Sequence, residues 1–174
     1  MARSEVIRIA TSTEDFAAFA ALIQEYVAWS KERWSDKAPL VDEFYSQDEL
    51  HQELAELPAA FAPPDGVVLL ALEGEAVLGC AAFRRFDATR CELKRVFVPT
   101  RHQGRGIGRK LCEALLEHAK ARNYAGVRLD TDIRSFEAIG LYHALGFEDC
   151  APYADYPTRF LPYAVFMELN LVGA

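Results

Sequence analysis

"FVPTRHQGRGIGRKLCEALLEHAK", from Phe97 to Lys120, passes from a β-like run through three glycines into an amphipathic helical pattern. Gly104, Gly106 and Gly108 sit among Arg101, Arg105, Arg109 and Lys110. Bare backbone and positive charge at a helix start suit a phosphate group. Glycine lets the chain approach a ligand, and the first N–H groups of a helix have no partner within it. Two common phosphate loops are excluded. The dinucleotide pattern G-x-G-x-x-G fails at Arg109, and no glycine opens a G-x-x-x-x-G-K-S/T span.

Outward from this turn the chain divides cleanly. Downstream, Leu111, Leu115 and Ala119 share one helical face, "AGVRLDTD" reads as a strand, "RSFEAIGLYHALGF" as a helix and turn, and "YAVFMELNL" as a last strand. Upstream, "TRCELKRVFVPT" is a strand ended by Pro99, and "VVLLALEGEAVLGCAAFRRF" is two strands joined at Glu73-Gly74-Glu75. Val6–Ile9 forms a first strand, and Thr11 or Thr13 caps a helix with Glu14 and Asp15 in its first turn. Phe16, Phe19, Ala20, Ile23 and Val27 give that helix a buried stripe. The stretch that follows is less regular. Pro39 interrupts it, Ser46 caps a helix carrying Leu50, Leu54 and Leu57, and Pro58, Pro63, Pro64 and Gly66 mark turns. Antiparallel hairpins followed by strand-helix-strand-helix-strand predict one α/β domain over residues 1–174.

Composition narrows the function classes. The 174 residues are 51% hydrophobic and 26% charged, as in ordinary globular proteins. A net charge of -7 argues against general nucleic-acid binding and is compatible with a cationic substrate. The opening residues alternate like a strand rather than a leader, and no apolar run approaches the ~18 residues of a membrane span. Four widely spaced cysteines without a C-x-x-C pair, and four histidines, predict free thiols in a reducing cytoplasm and no metal site.

Two segments together resemble one family. Gln103-x-x-Gly106-x-Gly108 is similar to the Q/R-x-x-G-x-G/A signature of the GNAT superfamily, the acyl-CoA-dependent N-acyltransferases. "SFEAIGLYHALGF", Ser135 to Phe147, is similar to that family's N-x-x-A-x-x-L-Y-x-x-x-G-F segment, with Ala138, Leu141, Tyr142, Gly146 and Phe147 in place and serine where asparagine is common. "ELKRVFVPTRHQGRG" and "YAVFMELNL" resemble the strand before the signature and the final strand. The resemblance covers the second half well and the first half in outline. It implies a mixed, mostly antiparallel central sheet flanked by helices, and acetyl-CoA as acyl donor.

It also implies roles. Gln103, Gly104, Arg105, Gly106, Ile107, Gly108 and Arg109 would surround the diphosphate, with Arg101 or Lys110 reaching the ribose phosphate. Backbone at Val96, Phe97 and Val98 would pair with the pantetheine arm, and one N–H there would polarise the thioester carbonyl. Ser135 can cap its helix and offer a polar contact. Tyr142 falls at the family's general-acid position, near the departing sulfur. Glu92 is the candidate base for the amine, with Asp130 and Asp132 as alternatives and Lys94 or Arg95 as partners that would make it a structural pair instead. Cys91 and Cys112 have no histidine nearby in sequence to activate them.

The acceptor is a small-molecule amine or a protein or peptide amine. Trp29, Trp34, Phe44, Tyr45, Tyr153, Tyr156, Phe160 and Tyr163 are candidates to line its cleft, with Asp36, Asp42, Glu43 or Asp155 facing a cation; a plain aromatic core with solvated acids is the alternative. A homodimer is compatible with the chain's size. Two rival functions remain: a non-catalytic acyl-CoA sensor and a nucleotide-binding regulatory domain.

Overall fold

A computed structural model describes residues 4–153 and 155–173. In chain order it contains β1 (Glu5–Ile9), α1 (Thr13–Arg33), α2 (Ala38–Phe44), α3 (Gln47–Ala60), β2 (Val67–Glu73), β3 (Ala76–Arg85), β4 (Arg90–Phe97), α4 (Ile107–Ala121), β5 (Gly126–Asp132), α5 (Phe136–Ala144), β6 (Glu148–Asp149) and β7 (Ala164–Asn170). The strands form one sheet in the order β1-β2-β3-β4-β5-β7-β6. Of its neighbouring pairs, β4 with β5 is parallel and the others are antiparallel. The mixed, mostly antiparallel sheet flanked by helices is the architecture the sequence implied.

The uninterrupted apolar run of β2 follows from burial on both faces. Val67, Leu69 and Ala71 join Leu111, Leu115 and Ala119 of α4 on one side. Val68 and Leu70 meet Phe19 and Ile23 of α1 and Leu57 of α3 on the other.

Three local readings need correction. The cap of α1 is Ser12, not Thr11 or Thr13: its side chain accepts from Asp15 N at 3.1 Å, and Asp15 returns the bond to the Ser12 N–H at 3.2 Å. This is a capping box, with Thr13 already helical. Pro39 does not interrupt structure but stands in the first turn of α2, where a missing N–H costs nothing. Pro58 lies inside the last turn of α3, next to the fully buried Leu57, so tertiary burial there outweighs the lost backbone bond.

Two features of β4 open the sheet. Its pairing with β5 covers Arg90–Gly126, Cys91–Val127 and Glu92–Arg128, and then stops. Beyond that point β4 stays with β3 and β5 stays with β7, so the two strands part in a V. The bend coincides with a bulge: Ala82 faces Lys94 whereas Cys80 faces Phe97, which leaves one extra residue in β4. Arg95 takes up the difference at φ 57, a left-handed conformation that costs a non-glycine residue about 1 kcal/mol or more. Glu53 of α3 holds it there through a two-pronged ion pair, with Nε to Oε1 at 2.8 Å.

Candidate functional site

A cleft of about 1070 Å³ occupies the V. Val96 and Phe97 of β4 and the adjoining Val98 form one wall, Leu129–Asp132 of β5 the other, and Ala138, Leu141 and Tyr142 of α5 close a side. Past Glu92 the edge of β4 that faces β5 has no strand partner. Such an edge can take up an extended chain by main-chain hydrogen bonds.

The glycine turn forms one end of the cleft. Gly104 and Gly106 have φ 77 and 74, and a Cβ built on either meets nothing within 4 Å. They are therefore needed for their backbone conformation and for the open space above them. Gly106 caps α4 without any side-chain bond, so the N–H groups of Ile107, Gly108 and Arg109 have no hydrogen-bond partner among the described residues. These unpaired donors, at the positive end of a fifteen-residue helix, face a space large enough for a diphosphate. Gln103 braces the turn: its amide donates to the Val98 carbonyl at 2.9 Å.

The basic side chains divide. Arg109 lines the cleft, although it also contacts Glu113 at 3.4 Å. Arg105 turns to Glu5 and Glu73, at 2.6 Å each, and Lys110 joins the same Glu5 at 2.6 Å. Arg101 is tied to Glu25. Arg105 therefore turns its guanidinium away and does not line the cleft.

Tyr142 is 6% exposed, packs its ring against Phe147 at 5.8 Å and lines the cleft. Its hydroxyl makes no hydrogen bond to the described residues. Burial pushes its pKa well above the ordinary 10, with Cys112 adding to the effect, so it keeps its proton throughout the physiological range.

Glu92 is buried. It is 5% exposed and stands behind the cleft wall, held by Arg84 at 3.3 Å and Lys94 at 3.0 Å, with Tyr153 donating to it at 3.4 Å. Lys94 also contacts Asp130 at 3.0 Å, and Asp130 does line the cleft. The two carboxylates are thus joined through one ammonium group. Asp132 accepts from Trp34 Nε1 at 3.1 Å, from the Arg134 N–H at 2.8 Å and from Ser135 Oγ at 2.6 Å. Ser135 stands at the cap position of α5, but its hydroxyl serves Asp132 rather than the helix N–H groups. His143 meets Asp149 on the surface at 2.9 Å.

On the acceptor side, Trp29, Phe44, Tyr45 and Tyr156 line the cleft. Trp34, Phe160 and Tyr163 surround a smaller neighbouring cavity, and Tyr153 packs on Phe86 and Phe166. The acids expected to face a cation are otherwise engaged: Asp36 with Arg134 at 2.6 Å, Asp42 with Lys31 at 2.7 Å, and Glu43 with Arg159. Asp155 is exposed and lines neither space. Tyr26, Arg33 and the Arg95–Glu53 pair were missed as cleft residues. Tyr26 was findable, since it lies three residues before Trp29 on α1. Burial raises the thiol pKa values of Cys80, Cys91 and Cys112 to about 12, which leaves none of them a nucleophile at neutral pH. The described residues contain no metal-holding cluster of His, Cys, Asp and Glu, and no helix long and apolar enough to cross a membrane.

Residues 20–147 match the acetyltransferase (GNAT) family. An uncharacterised N-acetyltransferase of Schizosaccharomyces pombe is 30% identical over 160 residues, covering 91% of this chain and 90% of its own. One from Bacillus subtilis is 34% identical over 103 residues, covering 58% of this chain and 67% of its own. Among solved structures, a Salmonella typhimurium protein described as an acetyltransferase with its cofactor acetyl-CoA superposes with a TM-score of 0.67 at 26% identity, covering 98% of this chain and 95% of its own.

Proposed function

The chain belongs to the acetyltransferase (GNAT) family, whose acyl donor is acetyl-CoA, and we propose that it acetylates a primary amine by direct attack, without a covalent enzyme intermediate. One observation carries this reading: the V between β4 and β5 brings unpaired helix N–H groups, a free strand edge and the Tyr142 hydroxyl into one cleft.

Acetyl-CoA supplies the activated thioester; the rest is work for this chain's own groups. The N–H groups of Ile107, Gly108 and Arg109, with backbone at Gly104, Arg105 and Gly106, bind the diphosphate, and Gln103 keeps the turn in shape. The edge at Val96, Phe97 and Val98 holds the pantetheine arm extended and aims a main-chain donor at the carbonyl oxygen. Tyr142 donates its proton to the departing sulfur. The burial that makes it a weaker acid also raises the energy of the thiolate it protonates, so the transfer remains useful. The ammonium proton leaves toward Asp130, which Lys94 contacts at 3.0 Å with Glu92 behind it. Holding amine and carbonyl in line supplies much of the rate.

The test is Tyr142→Phe in a steady-state assay of coenzyme A release on addition of amines. Turnover should fall about 100-fold, within the usual range for losing a general acid, while acetyl-CoA affinity stays unchanged. Unaltered turnover would remove Tyr142 from the mechanism, and a chain that binds acetyl-CoA but turns over no amine would be the sensor instead.

A further inference from the structure

Among the described residues, Arg95 and Asn123 are the non-glycine residues with positive φ. Asn123 lies in the turn after α4, and asparagine adopts this conformation more readily than most residues. Arg95 lies inside a strand, immediately before the edge at Val96, Phe97 and the adjoining Val98. A left-handed residue in such a place persists only where its surroundings hold it, and such residues gather at functional sites.

The faces of the sheet show what the bulge does. Lys94 stands opposite Ala82 and Phe97 opposite Cys80, and Ala82, Cys80 and Phe97 pack in the core on the α1 and α3 side. In an unbroken strand, residues three apart face opposite ways. The bulge puts Lys94 and Phe97 on one side, and it shifts by one residue the phase in which main-chain groups turn toward the open edge. The conformation of Arg95 therefore sets which N–H groups that edge presents to a donor. Glu53 supplies the hold. It lies three residues after Leu50 and four before Leu57, so it shares their face of α3, which the buried Leu57 seats on the sheet. Both its oxygens accept from Arg95, with Nε to Oε1 at 2.8 Å, and the guanidinium is only 19% exposed. On the other side of the residue, Cys80 Sγ donates to the Arg95 carbonyl at 3.3 Å. A planar guanidinium gripped at two points fixes orientation as well as position.

We propose that Glu53 is a positioning residue for acyl transfer: through Arg95 it keeps β4 in the bulged register that aims the edge at residues 96–98 toward the acyl donor. This rests on the acetyltransferase reading above. Neither side chain touches the reacting atoms in this account. Their effect is carried by the backbone, and it falls on the pantetheine arm rather than on the diphosphate, which the glycine turn holds.

Two substitutions isolate the backbone effect. Arg95→Gly and Arg95→Ala both remove the guanidinium and its link to Glu53, but glycine adopts the left-handed conformation freely and alanine does not. The measurements are kcat/KM for acetyl-CoA with an amine that the parent acetylates, and affinity for acetyl-CoA and for 3′-phospho-ADP, which lacks the arm, all below the Tm of every variant. Arg95→Gly should exceed Arg95→Ala in kcat/KM by about tenfold, the left-handed penalty of alanine, with equal 3′-phospho-ADP affinity in both. Arg95→Asn should also rank above alanine, and it gives the same comparison if the glycine variant fails to fold. Glu53→Gln should lower kcat/KM about tenfold in the parent and less than about twofold where residue 95 is already glycine. Equal activity of the glycine and alanine variants, or an equal Glu53→Gln loss in both backgrounds, would overturn the proposal. So would 3′-phospho-ADP affinity that falls in step with acetyl-CoA affinity, since the damage would then not be confined to the arm. Titration of the parent with acetyl-CoA keeps the two readings apart. Donor binding with glycine and alanine alike removes only Glu53, whereas absent donor binding sinks the acetyltransferase reading beneath it.

Discussion

Gly106→Ala and Gly108→Ala separate the two uses of glycine in the turn. Gly106 has φ 74, and a Cβ there would meet no protein atom within 4 Å. The substitution thus introduces no clash. Its cost to the free protein is the left-handed backbone alone, about 1–2 kcal/mol. For a chain of this size that lowers Tm by roughly 2–8 °C. The new methyl group projects into the space above the unpaired N–H groups, where the diphosphate would sit. A tenfold weaker Kd is the minimum expected. At a ligand concentration of 100 times the original Kd, stabilisation by acetyl-CoA should then fall from about 2.7 to about 1.4 kcal/mol. Gly108 lies in the helix without positive φ, and its Cβ would make ordinary contacts with Leu141 at 3.6 Å and Val98 at 3.9 Å. Alanine there should raise Tm by roughly 1–4 °C through lower unfolded-chain entropy and keep the ligand-induced shift. Thermal denaturation of both variants with and without acetyl-CoA gives all four numbers. If Gly106→Ala loses stability but retains the full shift, the turn does not cradle the phosphates.

Exchanging the two candidate proton acceptors should also discriminate. Asp130→Asn should depress kcat more than Glu92→Gln, because Asp130 lines the cleft and Glu92 stands behind Lys94; the reverse order in pH–rate profiles would move the base to Glu92. Two carboxylates should contribute acid sensitivity. The Arg8 guanidinium and the Thr11 and Ser12 N–H groups hold the Asp15 pKa far below its ordinary 3.8, and the Thr89 and Arg90 N–H groups lower that of Asp87 to about 2. Both folded pKa values are depressed, so this stabilisation is complete above about pH 4 and is lost as pH falls toward 2 and below. Urea midpoints at about pH 6 and pH 3 should show a smaller acid loss in Asp15→Asn than in the parent, and an equal loss would refute the linkage. Thiol titration of the native protein should find Cys150 reactive first, with Cys80, Cys91 and Cys112 protected until unfolding.

What the sequence revealed and concealed follows from the range of the interactions. The β2–β3 hairpin, the α4 stripe of Leu111, Leu115 and Ala119, and the turn at Gly104–Gly108 are local patterns, and they were legible. Tyr142, which lines the cleft, was singled out only through its family segment. Pro39 and Pro58 misled because proline marks either a boundary or a tolerated first or last turn, and the difference lies in tertiary packing. The two-residue β6, Glu148–Asp149, is exposed and charged and shows no periodicity. The bulge at Arg95 was invisible, since arginine carries no signal for positive φ and its anchor, Glu53, is 42 residues away. The same holds for Arg105, whose partner Glu5 lies 100 residues off and draws the side chain away from the phosphate end. Charge near a glycine turn was readable; which way each charge points was not.

The most direct test of the central claim is calorimetric titration of the purified protein with acetyl-CoA, with ATP and NAD as controls. Saturable binding of acetyl-CoA at one site per chain, with neither nucleotide binding comparably, is the predicted result. Equal or tighter binding of ATP or NAD, or no heat with acetyl-CoA in folded protein, would contradict the assignment of the cleft between β4 and β5.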